Sequence, residues 1–178
     1  MSNPSLEFVL PDAPATEALG AALARAYASG VRDDAGGDAG GAVIYLHGEL
    51  GAGKTTCARS LLRTLGVAGL IRSPTYTLVE AYQLEGITCV HVDLYRLAGP
   101  DAVEELGLRD YLESDCLLLV EWPARGGSAL PPPDLELTLT YQNDSRCALL
   151  TARTTRGRRW AAKLVHDTSL APYVSNIT

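Results

Sequence analysis

The sequence predicts a three-layer α/β domain whose sheet is mainly parallel, with an antiparallel extension at the C-terminal end. Three observations carry this. The runs AVIYL at 42–46 and CLLLV at 116–120 are continuously apolar, as strands buried on both faces of a parallel sheet are. Segments of helical period lie among such runs. After the breaker PPP at 131–133, residues Leu135 to Tyr141 alternate strictly between apolar and polar, as an antiparallel strand with one solvated face does. The chain has 178 residues, 47% of them apolar, which suits one domain with its own core.

Taken in order, Leu6 to Leu10 reads as a short strand, and Leu19, Leu23 and Ala26 fall at helical spacing after Pro11, Asp12 and Pro14. Residues 30–41, rich in Gly and Asp with no apolar period, read as a flexible surface loop. The strand at 42–46 runs into a Gly-rich turn, and Thr55 to Leu65 then returns to helical period, closed by Gly66. Thr75 to Tyr82 and Ile87 to Val92 are further strands, and Pro100 to Leu112 holds a helical segment with Asp101 as its N-cap. Arg146 to Ala152 and Gly157 to Val165 are read as hairpin strands around a Thr-Arg-Gly-Arg turn. The expected organisation is one domain over 1–166 and a loose tail over 167–178.

Charge excludes some functions. The net charge is −6, yet 153–163 holds four Arg and one Lys with no acid, leaving ten bases against 21 acids elsewhere. Such a chain is a poor stand-alone nucleic-acid binder, because phosphate neutralisation supplies most of that affinity. The four cysteines, at 57, 89, 116 and 147, show no metal or CxxC spacing and read as reduced thiols of a cytoplasmic protein. The start, MSNPSLEFVL, lacks signal-peptide features, and no apolar run approaches membrane-spanning length.

The chemistry concentrates in Gly48-Glu49-Leu50-Gly51-Ala52-Gly53-Lys54-Thr55, a complete G-x-x-x-x-G-K-[ST] between a buried strand and a helix. Glycines let successive backbone N–H groups turn inward around phosphate oxygens at a helix N-terminus. Lys54 is suited to the β- and γ-phosphates, and the Thr55 hydroxyl to Mg²⁺. Leu50, Gly51, Ala52, Gly53, Lys54, Thr55 and Thr56 are therefore the expected nucleotide-binding residues. Thr56 stands where a dinucleotide fingerprint would need its third glycine, so the loop reads as a nucleoside-triphosphate site and the domain as a P-loop NTPase.

Two apolar runs end in acids, Asp93 after Ile87–Val92 and Glu121 after Cys116–Val120. In a parallel sheet both emerge at the edge that carries the loop. One acid can hold Mg²⁺ and the other orient water, and the residues alone do not assign which does which. Lys54, Asp93 and Glu121 are the candidate catalytic residues. The hydroxyl-rich stretch Arg72 to Thr77 fits either a phosphate-sensing segment or a turn into a strand. Trp122 is either an indole at the site mouth or a core residue. His47, His91 and His166 show no metal spacing and are taken as structural.

With these residues in hand, the chain closely resembles the TsaE (YjeE) family of bacterial ATPases in tRNA threonylcarbamoyladenosine biosynthesis. The resemblance runs from about Leu10 to Tyr141. Its motifs are LPD, AT and LG at 10–20, GELGAGKTT at 48–56, SPTYTLVEAY at 73–82, HVDLYRL at 91–97, ELGLRDYL at 105–112 and VEWP at 120–123. It implies slow ATP hydrolysis that depends on the partners TsaB and TsaD, with TsaD transferring the threonylcarbamoyl group to the adenosine beside the tRNA anticodon, so that tRNA is met only through the partners. It further implies Mg²⁺ at Thr55 and Glu121, Asp93 as the other essential acid, SPTYT as a switch-like segment and the LPD region near the adenine. Glu49 replaces the family's more usual Asp and keeps the charge. The alternative class is a P-loop kinase of a small metabolite, disfavoured because the only Arg cluster lies beyond the parallel core.

Overall fold

The computed structural model describes residues 4–31, 41–112 and 115–177. Residues 32–40, most of the expected 30–41 loop, lie outside them. The described elements are β1 (Ser5–Leu10), α1 (Ala13–Ala26), β2 (Ala42–Gly48), α2 (Lys54–Leu65), β3 (Val79–Leu84) and β4 (Ile87–Asp93). They continue with α3 (Leu108–Tyr111), β5 (Cys116–Glu121), β6 (Leu135–Gln142), β7 (Ser145–Ala152), α4 (Thr155–Val165) and β8 (Val174–Ile177), with short 3₁₀ turns between several of them.

The eight strands form one sheet in the order β3-β4-β5-β2-β6-β7-β1-β8. Strands β4, β5, β2 and β6 run parallel, and β3, β7, β1 and β8 add antiparallel pairs. Alternation along β2 divides the core. Ile44 and Leu46 face the helices with Leu19, Leu61, Leu137 and Trp160. Val43 and Tyr45 face the other side with Val92, Val120, Leu97 and Val103. That second side is covered by 3₁₀ turns and the short α3, so the third layer is thin and lies over the parallel half of the sheet.

Four expectations are corrected. The residues from Gly157 to Val165 are not a strand but part of α4, whose Arg156, Gly157, Trp160, Ala161 and Leu164 form the buried stripe. The Thr154 side chain caps this helix by accepting from the Gly157 N–H. The segment 167–178 is not loose through 177. Asp167 caps a turn at Thr168–Leu170, and β8 pairs with β1. Strand β3 begins at Val79 rather than Thr75, because residues 75–77 form a turn. Pro100–Leu106 is a 3₁₀ helix behind Gly99, with Asp101 in its first turn rather than at the cap.

The basic segment is largely spoken for. Arg153 pairs with Glu136, Arg156 donates to the Gly41 carbonyl and lies near Asp134, and Lys163 donates to the Ser29 carbonyl. No helix among the described residues is long and apolar enough to cross a membrane.

Candidate functional site

Strand β2 ends at Gly48, held by parallel neighbours β5 and β6 on either side. Gly48 has φ +137°, and a Cβ there would sit 2.3 Å from the Leu139 carbonyl oxygen, so glycine is required on both counts. The loop then turns into α2, whose N-cap is Gly53 with no side-chain cap. The first N–H groups of a three-turn helix are thus left for an external anion.

Lys54 is 4% exposed and folded back on its own loop, donating to the Gly48 and Glu49 carbonyls at 2.8 Å each. Its ammonium also sits 4.0 Å over the Trp122 ring. Burial pushes the amine below its ordinary lysine value, opposed by the nearby charges of Glu121 and Asp93. Both loop carbonyls and the indole hold the cation at the place where phosphate charge would arrive.

Opposite the loop, Asp93 and Glu121 are register partners at the ends of β4 and β5, 3% and 2% exposed. Glu121 Oε2 accepts from the Thr55 hydroxyl at 2.9 Å, and its Oε1 lies 2.8 Å from His91 Nε2. Asp93 Oδ2 accepts from Thr75 at 2.8 Å and Ser73 at 3.1 Å, while Oδ1 accepts from the Tyr95 N–H at 3.0 Å. Among the described residues no Lys or Arg lies within ion-pair distance of either acid. Two buried carboxylates beside a helix-borne hydroxyl, with no paired guanidinium or ammonium, form an oxygen donor set that fits Mg²⁺.

Lys54, Thr55, Ser73, Thr75, Asp93, Tyr95 and Glu121 line one cleft of about 180 Å³, together with Leu50, Gly51, Gly53, Thr56 and Trp122. Every expected site residue except Ala52 lines it. Ala52 is buried beneath the loop, and contributes backbone rather than side chain. Trp122 takes a left-handed backbone (φ 59°) immediately after Glu121, which turns its ring toward Lys54 and Tyr95.

The sequence reading missed three contributors. His91, taken as structural, touches Glu121; its alternation with Asp93 puts both on one face of β4, and that was the available signal. Tyr141 donates to the Leu50 carbonyl at 3.2 Å. Arg146 lies against Gly53, its Nε about 3.6 Å from where a Cβ would be, with Thr16 on the same side. No local pattern marked Tyr141 or Arg146; only the β6–β7 register brings them to the loop. In the LPD segment, Asp12 caps α1 by accepting from the Ala15 N–H.

A phosphate-binding loop rooted in a parallel sheet and faced by two strand-terminal acids defines a P-loop nucleotide-binding protein. The family model described as "Threonylcarbamoyl adenosine biosynthesis protein TsaE" matches residues 10–149, and the chain belongs to the TsaE family. A relative named tRNA threonylcarbamoyladenosine biosynthesis protein TsaE, from Haemophilus influenzae, is 45% identical over 116 residues, covering 65% of this chain and 73% of its own length. The protein of the same name from Rickettsia felis is 35% identical over 112 residues, covering 61% and 65%. That from Synechocystis sp. is 39% identical over 129 residues, covering 70% and 74%. The crystal structure of YdiB from Bacillus subtilis superposes with a TM-score of 0.69 at 25% identity, over 90% of this chain and 94% of that one.

Proposed function

We propose that the chain is a Mg²⁺-dependent ATP hydrolase that supports threonylcarbamoylation of the tRNA adenosine next to the anticodon, acting in the cytoplasm with TsaB and TsaD. The observation that carries the hydrolase reading is the bond from the Thr55 hydroxyl to Glu121, with Asp93 as the register partner of Glu121. Family membership supports the pathway.

In this reading the N–H groups of Leu50 to Thr56 bind the phosphates, and Lys54 exchanges its loop carbonyls for β- and γ-phosphate oxygens. Thr55 and Glu121 would hold Mg²⁺, which supplies charge neutralisation on those oxygens when bound. Asp93, fixed by Ser73, Thr75 and Tyr95, orients the attacking water. Both acids are already anchored by hydrogen bonds, so little reorganisation is needed at the moment of reaction. The site is weak alone because Leu50, in the cleft lining, is largely exposed, so among the described residues the cleft stays open to water. Contact with tRNA falls to the partners.

Phosphate release, measured with and without TsaB and TsaD, tests this. Asp93→Asn and Glu121→Gln keep shape and remove charge, so each is expected to lose about 10²-fold or more in partner-stimulated turnover while still binding nucleotide. Near-normal turnover in both variants would refute the assignment.

A further inference from the structure

We infer that His91 is a positioning residue: it holds one oxygen of Glu121 so that only the other faces Thr55 and the Mg²⁺ position. The inference rests on the site reading above and extends it to a residue outside both the phosphate-binding loop and the cleft lining.

His91 is fully buried near the C-terminal end of β4, one strand in from the edge strand β3, on the same face as Asp93 and across from Leu119 of β5. Its Nε2 lies 2.8 Å from Glu121 Oε1, and both groups are shut from solvent. An ionised carboxylate only accepts, so Nε2 carries the proton and donates. Nδ1 faces no partner among the described residues, so it is the bare nitrogen; a proton there would be a buried donor without an acceptor. The imidazole is thus committed to a single role, a one-way donor to Oε1.

That commitment divides the carboxylate. Oε1 is occupied by the imidazole and Oε2 by the Thr55 hydroxyl, so Glu121 presents one oxygen toward the cleft. Without His91, Oε1 would be a buried anionic acceptor with no donor, and rotation toward the Lys54 ammonium would satisfy it. Glu121 would then be turned away from Thr55. Hydrogen-bond partners of metal-binding carboxylates have effects of this kind, and losing one costs about 10- to 100-fold in metal affinity or activity. A buried histidine serving only as core filling would make no such difference to a metal.

The test reads Mg²⁺ dependence in the full chain, not turnover. Melting temperature is followed at fixed ATP while Mg²⁺ is titrated, and again with ATP in excess chelator. His91→Leu is expected to raise the half-effective Mg²⁺ concentration about 10- to 100-fold and leave the metal-free ATP response unchanged within about twofold. His91→Gln, whose side-chain N–H₂ reaches the Nε2 position, is expected to restore most of the wild-type Mg²⁺ requirement. His91→Asn, whose amide stops near the Nδ1 position, gives the same contrast with Gln if the Leu variant does not fold. An unchanged Mg²⁺ requirement in His91→Leu or His91→Asn would overturn the inference. So would equal impairment in Gln and Leu, or in Gln and Asn, because that is what a purely structural role gives. A wild-type protein whose melting with ATP ignores Mg²⁺ would instead overturn the site reading itself, and this inference with it.

Discussion

Replacing Lys54 by Met keeps the unbranched stem against Trp122 and removes the ammonium. In the nucleotide-free protein two hydrogen bonds to loop carbonyls are lost, but so is the burial that already disfavours the charged amine. The freed carbonyls border an open cleft where water replaces the donor. The nucleotide-free melting temperature is therefore expected to change by only a few degrees. Binding is different. Re-aiming two donors from neutral carbonyls to phosphate oxygens gains about 1–1.5 kcal/mol each, so the variant should bind Mg²⁺-ATP about 100-fold more weakly. At ATP 100 times the wild-type Kd, the wild type gains about 2.7 kcal/mol, while the variant at its own Kd gains about 0.4 kcal/mol. At this chain length those values are melting rises of about 5–10 °C and about 1–2 °C. Differential scanning fluorimetry over an ATP series checks both. An equal rise in the variant would mean that nucleotide binds elsewhere. A fall of more than about 10 °C without nucleotide would mean that Lys54 is a structural strut.

Further outcomes are expected. Gly48→Ala combines a positive φ with a Cβ 2.3 Å from a backbone oxygen, whereas Gly66→Ala has φ +111° but nothing within 4 Å. In urea titration the first should cost about 3 kcal/mol or more and the second about 1 kcal/mol; equal costs would refute the steric argument. Burial pushes the thiols of Cys57 and Cys116 up to about 12, and burial with the Glu7 hydrogen bond raises Cys147 less far. A thiol is reactive above its pKa, so at pH 8 native protein should label slowly, the half-buried Cys147 before Cys57 or Cys116, with all four labelling in denaturant; rapid native labelling of Cys57 would contradict the packing. The isolated chain should bind tRNA no tighter than about 10⁻⁴ M at 150 mM salt. Saturable micromolar binding lost in an Arg156, Arg158, Arg159 triple-Ala variant would show otherwise.

The loop, the two acids and the strands that deliver them were legible because each is a local pattern: a spaced motif, or an apolar run ending in a carboxylate. The α4 segment was misread because Gly157 beside Arg156 and Arg158 imitates a turn. Gly157 is instead a close-packing position, where a Cβ would lie 2.0 Å from the Asp134 carbonyl oxygen. The stripe Arg156, Gly157, Trp160, Ala161 and Leu164 was present at helical spacing, but tertiary contact is what makes it a helix face. Strand β8 has no marked alternation and exists because β1 offers it an edge. Arg146 and Tyr141 reach the site through strand register, which no short window of sequence reports.

The placement of β2 between β5 and β6 also bears on when the site can exist. Residues that flank the loop in space are far along the chain: Tyr141 and Leu50, like Asp134 and Val43, are 91 positions apart. Such long-range closure slows folding and postpones it until both ends are present. At about 5–20 residues per second, a ribosome needs roughly 5–18 s between releasing the loop and releasing the β6–β7 hairpin that braces it. During that interval the phosphate-binding loop lacks the neighbours that brace it, so the completed site is not yet on offer. Nucleotide affinity in this protein is accordingly a late property, acquired with the completed sheet.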